Sequence, residues 1–132
     1  MQTVKEKPIL FDVDFYEDKH GNQPVKEILM ELRDKAQTNK DARIQYQKIL
    51  TCIRGLESYG TRIGEPHVKH IDGSLWELRP LSHRIFFFSW RDNKFVLLHH
   101  FIKKTKKTPP KEIEKATKNL KDFLERNNKN GK

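Results

Sequence analysis

The first half of the chain shows one short extended run followed by two stretches with helical periodicity. Residues 9–16 begin apolar and then alternate with polar positions, which is typical of a strand. Apolar residues then recur every three or four positions through residues 25–36 and again through residues 42–56. The break at residues 38–41 is short enough to predict an antiparallel pair of helices, and Gly60 ends the second one.

The second half changes to the period of two that strands show. Asp72 and Gly73 form a tight-turn dipeptide between the first two alternating runs, so these runs are predicted to form a hairpin. Pro109 and Pro110, with Thr108 as the capping residue, then begin a last amphipathic helix. The strands predicted in this half are residues 67–71, 75–79, 83–90 and 95–102.

This order of elements predicts an α+β domain. We expect a small antiparallel or mixed sheet with an N-terminal helical hairpin and a C-terminal helix. One layer of strands cannot bury its apolar side alone, so the helices should cover one face, and basic side chains should collect on the open face. The length of 132 residues suits a single domain over residues 1–132, with the polar ends at 1–7 and 127–132 predicted to be disordered.

Composition argues against a membrane or secreted protein. No apolar run approaches the roughly 18 residues of a membrane span, and residues 1–7 lack the apolar stretch of a signal peptide. Cys52 is the one cysteine, which excludes an internal disulfide and a cysteine-based metal site. We therefore expect a cytoplasmic protein with no membrane partner.

Charge is distributed unevenly along the chain. Residues 1–60 carry ten basic and ten acidic side chains, so the whole net charge of +9 comes from the second half. A one-sided excess predicts a polyanion partner, most often nucleic acid, although a solvated basic face without a specific partner would show the same count. Four lysines fall within residues 103–107, directly after the last predicted strand, where a rigid element would hold them in place to bind phosphates.

Alternation along the strands places several polar residues on the open face. If Trp76 and Leu78 point toward the helices, then Glu77 and Arg79 point away from them. Arg84 begins the next strand across a short turn, so the two guanidinium groups should lie close together. Glu77 and Arg79 could instead form only an ordinary ion pair, as exposed pairs on open sheet faces commonly do.

The last strand contributes two further candidates. Lys104 shares its predicted face with His100, and we expect both near Arg79 and Arg84. His99 must point to the opposite face from His100, so it is the better candidate for a structural histidine. No spacing of His and carboxylate residues is typical of a metal site, so no metal is expected.

RNA cleavage is the chemistry that such a cluster would support. The reaction needs cations for the charge that develops on the phosphoryl oxygens, and a titrating group for proton transfer. A lysine among other cations qualifies, because its pKa is lowered. The candidate catalytic residues are Arg84, Arg79, Lys104, Glu77 and His100. The candidate RNA-binding residues are Lys103, Lys106, Lys107 and Lys69.

Four segments together resemble a known toxin family. These are Trp-Glu-Leu-Arg at 76–79, His-Arg-Ile-Phe-Phe-Phe at 83–88, the stretch 96–109 that contains the lysine run, and Glu-Ile-Glu-Lys-Ala at 112–116. In this order they resemble the HigB-type branch of the RelE/ParE toxin superfamily, which includes many phage-derived proteins. The resemblance covers about residues 9–126.

The resemblance implies the toxin of a type II toxin–antitoxin system. Such a toxin is an mRNA interferase that cleaves mRNA on the translating ribosome without a cofactor, and an antitoxin, commonly a helix-turn-helix protein like HigA, inhibits it. Arg84, Arg79 and Lys104 match basic positions of the family. Residues 121–126 contain no Tyr or His where many relatives have one, and Glu77 stands where a lysine is expected, which leaves the general acid and base unassigned. A non-catalytic protein of the same fold that binds RNA or the ribosome is the alternative.

Overall fold

The computed structural model describes the backbone of residues 9–131 and the side chains of residues 9–128. It shows three helices and one five-stranded mixed sheet, which confirms the predicted α+β class. A short 3-10 turn, Gly60–Ile63, follows the second helix. The elements in chain order are β1 Asp12–Phe15, α1 Pro24–Ala36, α2 Lys40–Tyr59, β2 Val68–Asp72, β3 Leu75–Leu78, β4 His83–Trp90, β5 Lys94–Ile102 and α3 Pro110–Gly131.

The sheet has the strand order β1-β5-β4-β3-β2. Strands β2 to β5 follow one another as antiparallel neighbours, as the hairpin signals predicted. Strand β1 pairs in parallel with β5 at the other edge, with Asp12 opposite Lys94. The long chain between β1 and β2 forms the predicted helical hairpin, and its ends lie at opposite edges of the sheet.

Local signals in the sequence account for the ends of α2. The side chain of Asn39 accepts a hydrogen bond from the Ala42 backbone N–H at 2.9 Å, which satisfies a donor that the first helical turn leaves unpaired. Gly60 ends the helix with a φ of 61°, and a Cβ atom there would lie 3.0 Å from the Phe11 ring. Glycine is therefore favoured both by the left-handed backbone and by the close ring.

Helices cover both faces of the sheet, so the expectation of one open face is wrong. Helices α1 and α2 pack against one face, where Leu78, Ile85, Phe87 and Leu97 are buried. Helix α3 lies on the other face, because β4 and β5 are apolar on both sides and the apolar stripe of α3 matches the second side. The buried residues of that second core are Tyr16, Leu75, Phe86, Phe88, Val96, Leu98, Phe101 and Ala116.

A bulge in β5 changes which way its histidines point. Phe86 pairs with His99 but Phe87 pairs with Leu97, so Leu98 has no residue opposite it. A one-residue insertion of this kind interrupts the alternation of side chains. Leu98 and His99 consequently both face α3, and His100 faces α1 and α2.

The two ends of the chain were predicted to be disordered. Helix α3 extends to Gly131, so residues 127–131 are helical rather than irregular. Residues 1–7 and residue 132 lie outside the described part of the chain. Within the described part, no helix has both the length and the apolar character that crossing a membrane would need.

A hydrogen-bonded row of polar side chains lies beneath α2, on the face of the sheet that α1 and α2 cover. His83, only 2% exposed, contacts the Gln45 side chain through Nε2 at 2.6 Å and His100 Nε2 through Nδ1 at 2.8 Å. Burial, and to a smaller extent the neighbouring charges of His83 and His99, lower the pKa of His100 to about 4. The pKa of His83 is also lowered, mainly by burial and less by the charge of Arg84. Both histidines are therefore neutral in the native protein near pH 7.

This network predicts a loss of stability in acid. The unfolded chain, with histidine pKa values near 6.5, binds protons that native His83 and His100 exclude, so the free energy of unfolding should fall between about pH 6.5 and 4. The contribution of His100 is about 1–3 kcal/mol over that range. In the variant His100→Gln, the glutamine amide can still donate a hydrogen bond to His83 but does not titrate. The free energy of unfolding, measured with urea, should therefore change less with pH in this variant than in the wild type. The exposed His67→Gln is the control, and an unchanged slope in His100→Gln would contradict the assignment.

Candidate nucleic-acid interface

Four basic residues project from adjacent strands onto the α3 face of the sheet. Leu78 pairs with Ile85, so Arg79 at the end of β3 lies opposite Arg84 on β4. The Lys103 backbone N–H continues the ladder beyond β5 by donating to the Ser82 carbonyl at 2.8 Å. Lys69 on β2 pairs with Glu77 of β3, which has the same orientation. We call Lys69, Arg79, Arg84 and Lys103 the basic cluster.

The four residues are close enough for their charges to shift one another's pKa values. The pKa of Lys103 lies below its usual value, first through partial burial and then through repulsion by Arg79 and Arg84, with a smaller effect of Lys69. Burial and then Arg79 likewise lower the pKa of Arg84, whereas Glu77 opposes this change. A set of cations that repel one another in a half-buried place attracts an anion strongly.

Glu77 lies beneath the basic cluster and is fully buried. Its Oε1 atom is 3.5 Å from Nε of Arg79, and its Oε2 atom accepts a hydrogen bond from the Thr108 hydroxyl at 3.2 Å. Thr108 stands two residues before α3, so one carboxylate joins β3 to the start of that helix. Sequence alternation predicted the direction of Glu77 correctly, but the covering helix buries it where exposure was expected.

Arg84 is held in a defined orientation. Its Nη1 atom donates to the carbonyl oxygens of Leu81 at 2.7 Å and His83 at 2.8 Å. Leu81 adopts a φ of 54°, an uncommon conformation for a branched residue, in the turn between β3 and β4. The guanidinium group is thus fixed by the backbone of its own turn before any ligand arrives.

Two guanidinium donors of the cluster remain unsatisfied. Nε of Arg79 and Nε of Arg84 are buried, and neither has a hydrogen-bond partner among the residues that the structure describes, although Nε of Arg79 forms an ion pair with the equally unbonded Oε1 of Glu77 at 3.5 Å. Buried donors usually have an acceptor, since an unpaired one costs free energy. The oxygens of a phosphate group are acceptors of suitable charge and geometry for two neighbouring arginines.

The predicted lysine run borders an open depression next to Arg84. The lining includes Leu81, Ser82, Arg84, Lys103, Lys104 and Lys106. Lys107 is exposed on the same turn, where its carbonyl accepts a hydrogen bond from Thr105. Lys103 takes the place expected for Lys104 beside the arginines, because Lys103 continues the side of β5 on which Phe101 lies, whereas Lys104 falls in the turn.

His100 does not lie with the other predicted catalytic residues. The bulge in β5 turns it toward α2, where it contacts His83 on the face opposite Arg84 and Glu77. The prediction that His100 shares a site with Lys104 is therefore wrong. Strict alternation cannot reveal a bulge, since the extra residue is visible only in the pairing with β4.

Sequence reasoning missed one polar pair on the α3 face. His99 Nε2 lies 2.7 Å from Oε1 of Glu112, in the first turn of α3, and the imidazole stacks on Phe86. Burial raises the pKa of Glu112, but the hydrogen bond and charge of His99, with Lys115 and Lys111, produce a net decrease. No pattern in the sequence links these residues, because α3 and β5 meet only in the folded chain.

The described residues contain no group of three or more His, Cys, Asp or Glu side chains that is arranged to hold a metal ion. The chemistry that this face offers comes from guanidinium, ammonium, imidazole and carboxylate groups. Such a set can bind and polarise a phosphodiester and can transfer protons to or from it.

Comparison with known families identifies a match that covers more than half of the chain. The model of the family described as phage derived protein Gp49-like matches residues 39–121. This range runs from the start of α2 into α3 and contains the whole basic cluster, Glu77 and the lysine run. A comparison with curated proteins finds no match.

The buried carboxylate should matter for stability. Glu77→Gln leaves the Arg79 guanidinium without its counter-charge at a buried position, so we expect the free energy of unfolding to fall by about 1–3 kcal/mol. Urea unfolding of Glu77→Gln, Arg79→Gln and the double variant measures the coupling between them. Additive effects of the two substitutions would contradict the pairing, and Glu31→Gln, on the exposed surface of α1, is the matched control.

Proposed function

The chain belongs to the Gp49-like family of phage-derived proteins, a family of RelE/ParE-type toxin-like proteins, and we propose that it is a ribosome-dependent mRNA endoribonuclease, the HigB-type toxin of a type II toxin–antitoxin system. The observation that supports this proposal best is the convergence of Arg79, Arg84 and Lys103 on one face of the sheet, with Arg84 oriented by two backbone carbonyl groups. A phosphodiester of RNA supplies acceptors and further negative charge to these cations, which the single Glu77 carboxylate offsets only in part.

In the proposed reaction the arginines bind the phosphate at the cleaved bond. The 2′-hydroxyl loses its proton to solvent water as its oxygen attacks phosphorus and the bond from phosphorus to the 5′-oxygen breaks. The Arg79 and Arg84 guanidinium groups donate to the non-bridging oxygens, on which negative charge grows during this step. Arg84 is already oriented by two carbonyl groups, so little further ordering is needed when substrate binds. The charge-stabilising part of the reaction is thus assigned to residues that the fold holds in place.

Lys103 is the proposed proton donor to the departing 5′-oxygen. Slight burial and the charges of Arg79 and Arg84 lower its pKa, which makes the ammonium group a stronger acid than that of an isolated lysine. Glu77 is assigned a positioning role, since a fully buried carboxylate does not reach the substrate. It orients Arg79 and offsets the mutual repulsion of the cluster.

The remaining lysines are proposed to bind the RNA backbone. Lys104 and Lys106 line the open depression beside Arg84, and Lys69 lies on the other side of the cluster. Lys107 extends the positive charge along the exposed turn. Ammonium groups on a flexible stem contact phosphates without reading bases, so these residues should supply affinity rather than sequence preference.

The partners follow from the proposed reaction. The substrate would be mRNA on the translating ribosome, which places the activity in the cytoplasm. An antitoxin, expected to be a HigA-like helix-turn-helix protein encoded beside this chain, would hold the toxin inactive. Growth arrest that co-expression of the neighbouring protein relieves would support this pairing.

A non-catalytic RNA-binding protein of the same fold is the second candidate. Two observations favour it: Glu77 is buried, and α3, Pro110–Gly131, carries no Tyr or His that could act as acid or base. Such a protein would bind ribosomes or mRNA through the same basic cluster and leave the RNA intact. Mapping of mRNA ends after induction separates the two functions, since only the enzyme creates new 5′ ends.

Arg84→Ala should abolish the toxic activity. The loss of a preoriented donor to the transition state typically lowers the rate by about 10²–10³-fold. We expect the wild-type protein to arrest growth and cleave mRNA, and Arg84→Ala to do neither. Arg33→Ala, on the exposed surface of α1, should remain fully toxic, and thermal unfolding should show both variants folded. Equal mRNA cleavage by Arg84→Ala and the wild type would refute the enzymatic proposal.

Lys104→Ala should weaken RNA binding without changing base preference. The loss of one phosphate contact to single-stranded RNA lowers the slope of log affinity against log salt by about 0.7. Filter binding of several RNA sequences over a range of salt concentrations measures both quantities. An altered codon or base preference at unchanged affinity would count against a backbone contact.

A further inference from the structure

A second basic cavity lies on the α3 face, away from the basic cluster. It has a volume of about 560 Å³, which is within the range common for ligand sites. It is open between the chain that joins β1 to α1, the bulged part of β5 and the middle of α3. Its lining includes Tyr16, Lys19, His99, Lys115, Lys118 and Asp122.

The acidic groups at this cavity are already engaged. Oδ2 of Asp122 accepts hydrogen bonds from the Tyr16 hydroxyl at 2.6 Å and from Nη2 of Arg126 at 2.8 Å. Asp18 accepts from the backbone and the side-chain amide of Asn22, at 2.8 and 3.0 Å. Both carboxylates therefore accept hydrogen bonds that stabilise the local structure, and neither forms an ion pair with a lysine of the cavity.

The lysines, in contrast, are available. Lys19, Lys115 and Lys118 form no ion pair with any other residue that the structure describes. Lys111, Lys115 and Lys118 follow the spacing i, i+4, i+7, so they share one flank of α3. This flank begins a few residues after the lysine turn at 103–107, and its later members Lys115 and Lys118 line the cavity.

His99 adds a fixed polar group to the cavity. Glu112 engages its Nε2 atom at 2.7 Å and so fixes the imidazole ring. Nδ1 of His99 makes no hydrogen bond within the described residues, and the Asn119 side chain beside it is anchored on the Leu98 carbonyl at 2.9 Å. Fixed polar groups below mobile lysines suit an anion that carries several oxygens.

We propose that this cavity is a second phosphate-binding site, which takes the backbone of the same RNA strand a few nucleotides from the bond held at the basic cluster. The inference rests on the proposed function and extends it from one bound phosphate to an RNA path, by which we mean contacts with the RNA backbone at both the basic cluster and the cavity. His99 and Lys103 are four residues apart on β5, which corresponds to about 13 Å along an extended strand. RNA that follows α3 from the lysine turn reaches the cavity over that distance.

The test compares two lengths of single-stranded RNA. The variant Lys115→Ala/Lys118→Ala should bind a 12-nucleotide RNA at least tenfold more weakly than the wild type, with a salt slope lower by about 1.4 for two lost phosphates. Binding of a 3-nucleotide RNA, which spans only the basic cluster, should be unchanged. Lys121→Ala is the matched control, because this exposed lysine lies on the same helix but does not line the cavity.

The outcomes separate this inference from the proposed function. If the double variant binds the 12-nucleotide RNA as tightly as the wild type, the second site is refuted, whatever Arg84→Ala does. If the double variant loses the same factor of affinity for both RNA lengths, the lysines contribute only to the overall positive charge, and the RNA path is refuted. If inorganic phosphate shifts the NMR signals of His99 but the RNA affinity of the double variant is unchanged, the cavity binds a free anion and the inference also fails. Loss of binding limited to the longer RNA supports the second site even if wild-type protein cleaves no mRNA.

Discussion

The arrangement of the basic cluster depends on its interaction with the buried carboxylate of Glu77. Arg79, Arg84 and Lys103 repel one another in a half-buried place, and one negative charge beneath them offsets part of that repulsion. The same carboxylate accepts a hydrogen bond from Thr108, so the start of α3 is joined to β3. Because the partner of Glu77 belongs to the basic cluster, a change in the carboxylate would alter both the stability of the fold and the position of Arg79.

The second constraint is the pair of apolar faces on β4 and β5. These strands are buried on both sides, which forces α3 onto the face opposite the helical hairpin. The helix covers the middle of the sheet and leaves the cluster open where β3, β4 and β5 meet the turns. The bulge at Leu98 then assigns His99 to the α3 face and His100 to the network under α2. One inserted residue therefore separates the histidine that contacts α3 from the one in the network under α2.

The two positive regions share a common design. In each, the carboxylates are engaged by structural partners, and cations remain facing outward. Cations arranged in this way attract a polyanion over the whole positive surface. The fixed guanidinium groups of the basic cluster distinguish that place from the rest of the surface. A face that only made the protein soluble would not need buried, oriented guanidinium groups.

The sequence by itself determined the element order, the fold class and most element positions, because periodicity, caps and turn dipeptides act over a few residues. It also placed Arg79 and Arg84 near each other, because hairpin connections bring adjacent strands together, but it expected Lys104 beside them where the structure has Lys103. Only the tertiary structure decided the burial of Glu77, the direction of His100 and the contact between His99 and Glu112. These depend on where α3 docks and on a one-residue shift in the β4–β5 pairing, and both are set by packing between segments distant in the chain.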